Sequence, residues 1–171
     1  MIKDIIKLSV FLTIACALAA AALSITYVAT SDRIEQQKKA EINVALSKEC
    51  LPGASSIREE KGRYVGLDKK GSPIGYAYRV SPKGYGGAID MVVGIDIKGR
   101  VLGVKILSMK ETPGLGSKAS EYGFLKQFTG KTSFAKLIAK KDVDAITGAT
   151  ITSQAVSDGV REALTKFKQI H

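Results

Sequence analysis

Residues 88–107, AIDMVVGIDIKGRVLGVKIL, decide the fold of this chain. Apolar residues alternate with mainly polar or small ones in the first half of the segment. The apolar members are Met91, Val93, Ile95 and Ile97. This period of two, with one apolar face, is typical of a half-buried strand. Lys98 and Gly99 supply a turn, and residues 101–107 return as a second strand, so the segment predicts an antiparallel hairpin.

Strand patterns precede this hairpin and helix patterns follow it. Residues 63–67 and 75–80 have the composition of two further strands. Apolar residues at helical spacing predict three helices, over residues 117–128, 133–140 and 152–169. Strands in one block and helices in the next favour an α+β fold, with an antiparallel sheet and flanking helices.

The N-terminal segment is uncharged and largely apolar over residues 8–30. A helix of that length spans roughly 34 Å, enough to cross a hydrocarbon core of about 30 Å. Lys3 and Lys7 give the basic start that a cleaved signal peptide also has, but the apolar run exceeds the roughly 7–15 residues of such a peptide. We therefore predict an uncleaved signal anchor with one transmembrane helix over residues 1–30.

The charges around this span do not decide its orientation. Lys3, Lys7 and the amino terminus precede it, with only Asp4 against them. The basic residues that follow are mixed with acidic ones: Arg33, Lys38 and Lys39 with Asp32, Glu35 and Glu41. The positive-inside bias is therefore slight.

The rest of the 171-residue chain divides into a stalk and a domain. Residues 31–52 are charged and helix-prone, and Pro52 and Gly53 end the segment, so we predict a helical stalk. Residues 53–171 are long enough to bury a core of their own and are predicted to form one domain.

The chain is basic and poor in metal-binding side chains. Its net charge of +10 is scattered over the part after the anchor. That charge favours an ordinary solvated face, and it also fits an acidic partner or anionic lipid. Without a recognisable binding motif it does not favour nucleic acid. Two cysteines and the single His171 exclude a metal site built on Cys and His, and histidine-based acid–base catalysis. Any redox chemistry must therefore come from a bound cofactor.

Residues 144–150, DAITGAT, stand directly before the last predicted helix. Gly148 and Ala149 leave room for a bulky group near the backbone. The first turn of a helix offers unpaired N–H groups and a positive dipole end, which suit a phosphate, and Thr150 supplies a hydroxyl that can form a phosphoester. Taken alone, the pattern favours a loop whose hydroxyl residues cap the helix over an attachment site.

A second motif, ETPGLG at residues 111–116, follows the hairpin. By itself it fits an ordinary turn between a strand and a helix, with Ser117 as the helix cap. Its glycines also expose backbone N–H groups to a ligand, and Leu115 offers an apolar face.

Three segments in chain order resemble the FMN-binding domain family: residues 84–90, GYGGAID, then residues 111–116, then residues 144–150. The resemblance implies that FMN is joined through its phosphate to the hydroxyl of Thr150. It also implies an attachment motif completed by Asp144, Thr147, Gly148 and Ala149. The loop beside the flavin ring would consist of Glu111, Thr112, Pro113, Gly114, Leu115 and Gly116. Thr147 stands where many relatives have Ser, and both residues offer a hydroxyl.

With a single N-terminal anchor, the set resembles the G subunit of Rnf-type ion-translocating ferredoxin:NAD oxidoreductases. The related C subunit of the sodium-pumping NADH:quinone oxidoreductase shares the anchor and the attachment motif. The resemblance implies a redox subunit with no catalytic constellation of its own, surrounded by other membrane and iron–sulfur subunits. It implies a separate flavin transferase that moves FMN from FAD, and a flavin domain on the outer face of the cytoplasmic membrane.

Two other functions remain open on the sequence. The chain would alternatively be a basic, anchored binding domain without a redox role, or a covalent-FMN subunit of another membrane reductase. Nucleotide hydrolysis is not favoured, because TGKT at residues 129–132 lacks the remaining P-loop glycine and has Leu125 in its place.

Overall fold

A five-stranded antiparallel sheet lies at the centre of residues 41–171 in the computed structural model, which describes residues 2–60 and 62–170. The strands lie side by side in chain order. They are β1 (Ser56–Glu60), β2 (Arg63–Leu67), β3 (Pro73–Val80), β4 (Asp90–Asp96) and β5 (Val101–Ser108). The helices are α1 (Ile2–Ala45), α2 (Tyr122–Leu125) and α3 (Thr150–Ile170). The predicted α+β class with an antiparallel sheet is confirmed.

Four strands match the sequence predictions to within two residues at each end. Strand β2 coincides with its prediction, β3 begins at Pro73, β4 is shorter at both ends, and β5 extends to Ser108. The sequence did not predict β1, whose only apolar residue is Ile57. This edge strand is held by its backbone pairing with β2 and is mostly exposed, so it carries no alternating pattern.

Strand β4 is buried on both faces, so the prediction of a half-buried strand is wrong. Met91, Val93 and Ile95 belong to the main core, and Val92, which points to the opposite face, is also fully buried. That second face is covered by a π-helical turn, Leu46–Cys50, which directly follows α1. The cover comes from a distant part of the chain, which strand alternation cannot reveal.

Two paired glycines let this turn lie directly against the sheet. Gly94 and Gly103 stand opposite each other in β4 and β5. A Cβ atom on Gly94 would lie 1.7 Å from the carbonyl oxygen of Cys50, and one on Gly103 would lie 2.0 Å from that of Glu49.

Burial raises the pKa of the Cys50 thiol to about 12, so the thiol stays protonated at neutral pH.

The main core lies between the other face of the sheet and α3, which begins two residues before its prediction. The helix buries Val156, Val160, Ala163 and Leu164. Its Gly159 allows close approach to β4, because a Cβ atom there would lie 2.7 Å from Met91 Sδ. This packing fixes the first residue of the helix, Thr150, relative to the sheet.

The prediction of one helix over residues 117–128 is wrong. Two 3-10 turns, Gly116–Ser120 and Lys126–Phe128, flank the four-residue α2. Glu121 separates the first turn from α2, because its φ of −72° and ψ of 142° are extended. The buried side chains are still Phe124, Leu125 and Phe128. Their spacing therefore looks helical although the backbone is broken.

Residues 133–140, all described by the structure, form no helix, so that prediction is also wrong. Leu137 and Lys140 have positive φ angles of 53° and 67°, which a right-handed helix excludes. The Asp142 carboxylate accepts the N–H of Ile138 at 3.1 Å. Such a local side-chain bond competes with helical backbone pairing.

The described residues contain one helix that is long and apolar enough to cross a membrane. It is the segment Lys3–Ser31 of α1, with a mean hydropathy of 2.3. The same helix continues without a break to Ala45. Met1–Ala40 and Glu41–His171 are two compact units, and the domain boundaries at residues 30 and 52 stay predictions.

Asp96 closes the turn between β4 and β5. Its carboxylate accepts the backbone N–H groups of Lys98 and Arg100 and the Arg100 Nε–H, each at 2.8 Å. Burial raises the pKa of the Asp96 carboxyl, but these hydrogen bonds and the Arg100 charge outweigh it. The pKa of Asp96 therefore lies below its ordinary value of 3.8.

We expect acid to destabilise the wild-type protein more steeply than an Asp96→Asn variant. Because the folded pKa is depressed, the contribution of Asp96 to the free energy of unfolding is fully present above pH 3.8. It is lost as the pH falls through the lower pKa of the folded state. Urea denaturation between about pH 6 and about pH 2.5 measures this difference. Parallel curves for the two proteins would contradict the assignment.

Candidate functional site

Segments far apart in the chain meet around one cavity of about 650 Å³. They are the loop before β4, the loop after β5, one residue of the 133–143 segment and the start of α3. The lining consists of Tyr85, Glu111, Thr112, Leu115, Gly116, Lys140, Gly148, Ala149, Thr150, Ile151 and Thr152. The volume lies within the range of about 300–1,000 Å³ that is typical of small-molecule sites.

Both motifs singled out in the sequence reach this cavity. The residues of the two motifs that line it are Glu111, Thr112, Leu115, Gly116, Gly148, Ala149 and Thr150. Four of the predicted site residues, Pro113, Gly114, Asp144 and Thr147, lie outside the lining, and these four are exposed. Sequence reasoning did not single out Lys140, Ile151 or Thr152. The last two directly follow Thr150 on the helix, whereas nothing in the sequence marks Lys140.

Thr150 is the first residue of α3 and is half-buried at the cavity. The N–H of Ser153 donates to the carbonyl of Ala149 at 3.0 Å, so helical pairing begins there. The N–H groups of residues 150–152 therefore have no partner within the helix. Among the described residues, the hydroxyls of Thr147 and Thr150 make no hydrogen bond that would cap this turn.

The loop before Thr150 is held in place from inside. Gly148 has a φ of 78°, and a Cβ atom there would lie 3.2 Å from Leu115 Cδ2. The buried Ser153 hydroxyl accepts the N–H of Ile146 at 3.0 Å and donates to the carbonyl of Ala149 at 2.9 Å. The position of this loop therefore depends on a helix residue that the sequence motif does not include.

Asp144 is fixed through its backbone alone. Its N–H donates to Gln127 Oε1 at 2.8 Å, and its carbonyl accepts Gln127 Nε2–H at 3.2 Å. The Asp144 carboxylate is exposed and has no partner among the described residues. An external molecule can therefore reach this carboxylate.

Glu111 connects three parts of the cavity wall. Its carboxylate accepts the N–H of Gly86 at 3.1 Å and the hydroxyl of Thr152 at 2.7 Å. Two glycines make room for this carboxylate. A Cβ atom added to Gly84 would lie 2.3 Å from Glu111 Oε1, and one added to Gly116 would lie 2.9 Å from Glu111 Oε2. The half-buried carboxylate therefore joins the loop before β4 to the start of α3.

We expect Thr152→Val to destabilise the protein by about 2 kcal/mol, because it leaves the half-buried Glu111 carboxylate without a hydroxyl donor. Thr165→Val is the matched control, since its exposed hydroxyl on the same helix donates only to the Arg161 carbonyl. The control should change the free energy of unfolding by less than about 0.5 kcal/mol. Urea denaturation of both variants measures the difference, and equal values would contradict the role of this hydrogen bond.

The loop of residues 111–116 is closed on itself. Gly114 has a φ of 76°, and its N–H donates to Ser117 Oγ at 2.9 Å. The N–H of Leu115 donates to the carbonyl of Thr112 at 3.2 Å. The N–H that Gly114 was predicted to offer a ligand is therefore already paired, and Ser117 stabilises this loop instead of capping a helix. Leu115 remains 44% exposed as an apolar wall of the cavity.

The charged side chains of the lining are one carboxylate, Glu111, and one ammonium, Lys140. Within residues 2–60 and 62–170, no group of three or more His, Cys, Asp or Glu side chains is placed to hold a metal ion. The cavity is thus a polar and apolar pocket with a hydroxyl at a helix start.

Both the N-terminal and the C-terminal part of the chain resemble known protein families. A family model described as the FMN-binding domain matches residues 84–165, and one for the RnfG N-terminal region matches residues 1–48. The G subunit of the proton-translocating ferredoxin:NAD(+) oxidoreductase complex of Clostridium ljungdahlii is 35% identical over 96% of this chain and 95% of its own. This chain belongs to the G-subunit family of ion-translocating oxidoreductase complexes. The sodium-translocating counterpart from Acetobacterium woodii is 31% identical over 98% of the chain and 94% of its own.

Solved structures of a related protein share the fold of this G-subunit family member. The C subunit of the Na(+)-translocating NADH-quinone reductase of Parabacteroides distasonis aligns with a TM-score of 0.51 and 27% identity. That alignment covers 63% of this chain and 60% of the other. The NqrC structure from Shewanella oneidensis aligns with a TM-score of 0.53 over 74% of this chain and 75% of the other. At 19% identity, this second likeness concerns the fold alone.

Proposed function

We propose that this chain is the membrane-anchored flavin subunit that relays electrons in an ion-translocating ferredoxin:NAD oxidoreductase. The observation that carries the proposal is the half-buried Thr150 hydroxyl, at a helix start inside a cavity of about 650 Å³. The FMN-binding domain match and the G-subunit relatives support it. FMN, when bound, supplies redox chemistry that the lining side chains lack.

We infer a covalent bond between Thr150 Oγ1 and the FMN phosphate. In the attachment, Thr150 Oγ1 bonds to the FMN-side phosphorus of FAD, the pyrophosphate bond breaks, AMP leaves, and the hydroxyl proton is released. The phosphodiester that results keeps one negative charge. The unpaired N–H groups of residues 150–152 and the positive end of the α3 dipole are suited to that charge.

The cavity wall is suited to the rest of the group. Leu115 offers an apolar surface for a flat aromatic ring, while Glu111 holds the wall closed through Gly86 and Thr152. The open face of the site would let electrons pass to cofactors of neighbouring subunits. Among the residues proposed to take part, Thr112 and Gly116 contribute to the same wall.

A separate flavin transferase is the proposed partner for maturation. The exposed carboxylate of Asp144 and the exposed hydroxyl of Thr147 lie outside the cavity, where such an enzyme would recognise the motif. Pro113 and Gly114, which directly precede Leu115 in the sequence, are also exposed.

We further propose the outer face of the cytoplasmic membrane for the flavin domain. The long apolar helix supports a single-pass anchor, and the G-subunit relatives support assembly with other membrane and iron–sulfur subunits. A ferredoxin:NAD complex is favoured over the sodium-pumping NADH:quinone complex. The match to the RnfG N-terminal region and the near full-length coverage of the G-subunit relatives favour the former.

The deciding experiment is the intact mass of the full-length chain, produced with and without an active flavin transferase. The expected result is an added mass of one FMN less one water only when the transferase is present, located by peptide mapping at Thr150. Flavin fluorescence should survive denaturing electrophoresis. An unmodified mass in the presence of an active transferase would overturn the proposal and leave a tethered basic domain.

A further inference from the structure

We propose that Lys140 is the cation that binds the phosphate of the flavin at Thr150. The proposal rests on the proposed function, and it adds a binding residue that neither sequence motif contains. Lys140 and Thr150 line the same cavity, although they lie on different segments. Three observations carry the proposal: the charges in the lining, the backbone conformation of Lys140, and the brace that holds its segment.

Lys140 is the one Lys or Arg side chain in the cavity lining that the structure describes. The other charge is Glu111, whose carboxylate already accepts the Gly86 N–H and the Thr152 hydroxyl. A phosphodiester in this cavity would therefore face a fixed negative charge. Helix-start N–H groups carry only partial positive charge. A full positive charge is needed to balance the site, and Lys140 supplies it.

The backbone of Lys140 adopts a conformation that a lysine rarely takes. Its φ of 67° lies in the left-handed region, which favours Gly and, to a lesser extent, Asn. Leu137, nearby, also has a positive φ, but its side chain is fully buried and its packing accounts for the strain. The Lys140 side chain is exposed at the cavity and gains no such packing. Strained residues of this kind cluster at ligand sites. The charge of Lys140 is therefore the property that accounts for a lysine at this strained position.

A brace from α3 holds this segment beside the helix start. The Gln154 side chain accepts the N–H of Ala139 at 2.9 Å. The N–H of Lys140 itself donates to the carbonyl of Val143 at 2.8 Å. Gln154 lies one helical turn after Thr150, so the segment that carries Lys140 is bonded to the same helix that carries Thr150. Lys140 is thus positioned relative to the Thr150 hydroxyl and not on a freely moving loop.

The first test compares Lys140→Met with Lys141→Met in the full-length chain in detergent. Lys141 is the exposed neighbour that does not line the cavity. With the transferase present, Lys140→Met should take up flavin at least roughly tenfold more slowly than wild type, as expected for loss of a charge-assisted contact. Its attached phosphate should also show a changed ³¹P NMR shift. Lys141→Met should match wild type in both, and Lys140→Arg should restore most of the rate.

Lys140→Gly separates charge from backbone strain. Glycine removes the strain at this φ, so the melting temperature should stay equal or rise. Flavin uptake should nevertheless be as slow as for Lys140→Met. If Lys140→Gly or Lys140→Met takes up flavin at the wild-type rate with an unchanged ³¹P shift, the inference is overturned.

A binding measurement tests the inference without the covalent bond. The chain made without transferase is titrated with FMN and, separately, with riboflavin, which lacks the phosphate. Wild type and Lys141→Met should prefer FMN, and Lys140→Met should lose at least roughly tenfold of that preference. Equal preference in all three proteins would overturn the role of Lys140 even if flavin attaches at Thr150. A wild-type chain that never acquires flavin would instead overturn the proposed function.

Discussion

Thr150→Ala should give a folded protein that carries no covalent flavin. The Thr150 hydroxyl has no hydrogen-bond partner among the described residues and is half-buried, so its removal leaves no buried group unpaired. We expect the free energy of unfolding to change by less than about 1 kcal/mol. Fluorescence on a denaturing gel and the intact mass, both after production with the transferase, measure the loss of flavin.

Two matched variants define this result. Thr150→Ser keeps a hydroxyl at the start of α3 and should retain covalent flavin. Thr165→Ala removes an exposed hydroxyl on the same helix, outside the cavity lining and outside the motif, and should keep covalent flavin. Covalent flavin on Thr150→Ala, or its transfer to Thr147, would show that the bond is assigned to the wrong residue.

The second large effect concerns stability and a glycine far from the cavity. Gly94→Ala should lower the free energy of unfolding by about 3 kcal/mol, because the new methyl group collides with the backbone of the covering turn. The Cβ atom would lie 1.7 Å from the Cys50 carbonyl oxygen, and a backbone atom cannot move aside as a side chain can. Urea denaturation followed by the near-ultraviolet circular dichroism of the tyrosines measures the change.

Gly123→Ala is the control for this substitution. Gly123 lies in α2, where an added Cβ atom meets nothing within 4 Å. Because alanine also favours the helix, its free energy of unfolding should stay level or rise by about 0.5 kcal/mol. If Gly94→Ala were as stable as this control, the close contact between the turn and the sheet would be wrong.

The sequence predicts the parts of the fold that repeat a pattern. Strands β2–β5 alternate or carry apolar runs between turns, and α3 has apolar residues at regular helical spacing. The two glycine-containing motifs are recognisable as short local patterns, and both reach one cavity. These features are local, and their physical signal lies within a few residues of each other.

What the sequence does not reveal depends on contacts between distant segments. Strand β1 is stabilised by backbone pairing, which any side chain permits. The second face of β4 is buried by a turn 40 or more residues earlier in the chain. Lys140 lies at the cavity on a segment that is not helical and whose Ala139 N–H is held by Gln154.

The same limit explains the two wrong helices. Apolar spacing records which side chains are buried, and Phe124 and Phe128 are buried as expected. The spacing does not record the backbone that presents them. An extended Glu121 and a left-handed Leu137 break the helices without changing the apolar pattern.

The enclosed thiol of Cys50 has a practical consequence. Because it is wholly inaccessible and stays protonated at neutral pH, a charged, water-soluble alkylating reagent cannot react with it in the closed state. Alkylation requires the covering backbone to lift from the paired glycines for a moment. The rate at which this thiol is alkylated therefore reports how often the turn Leu46–Cys50 lifts from the sheet.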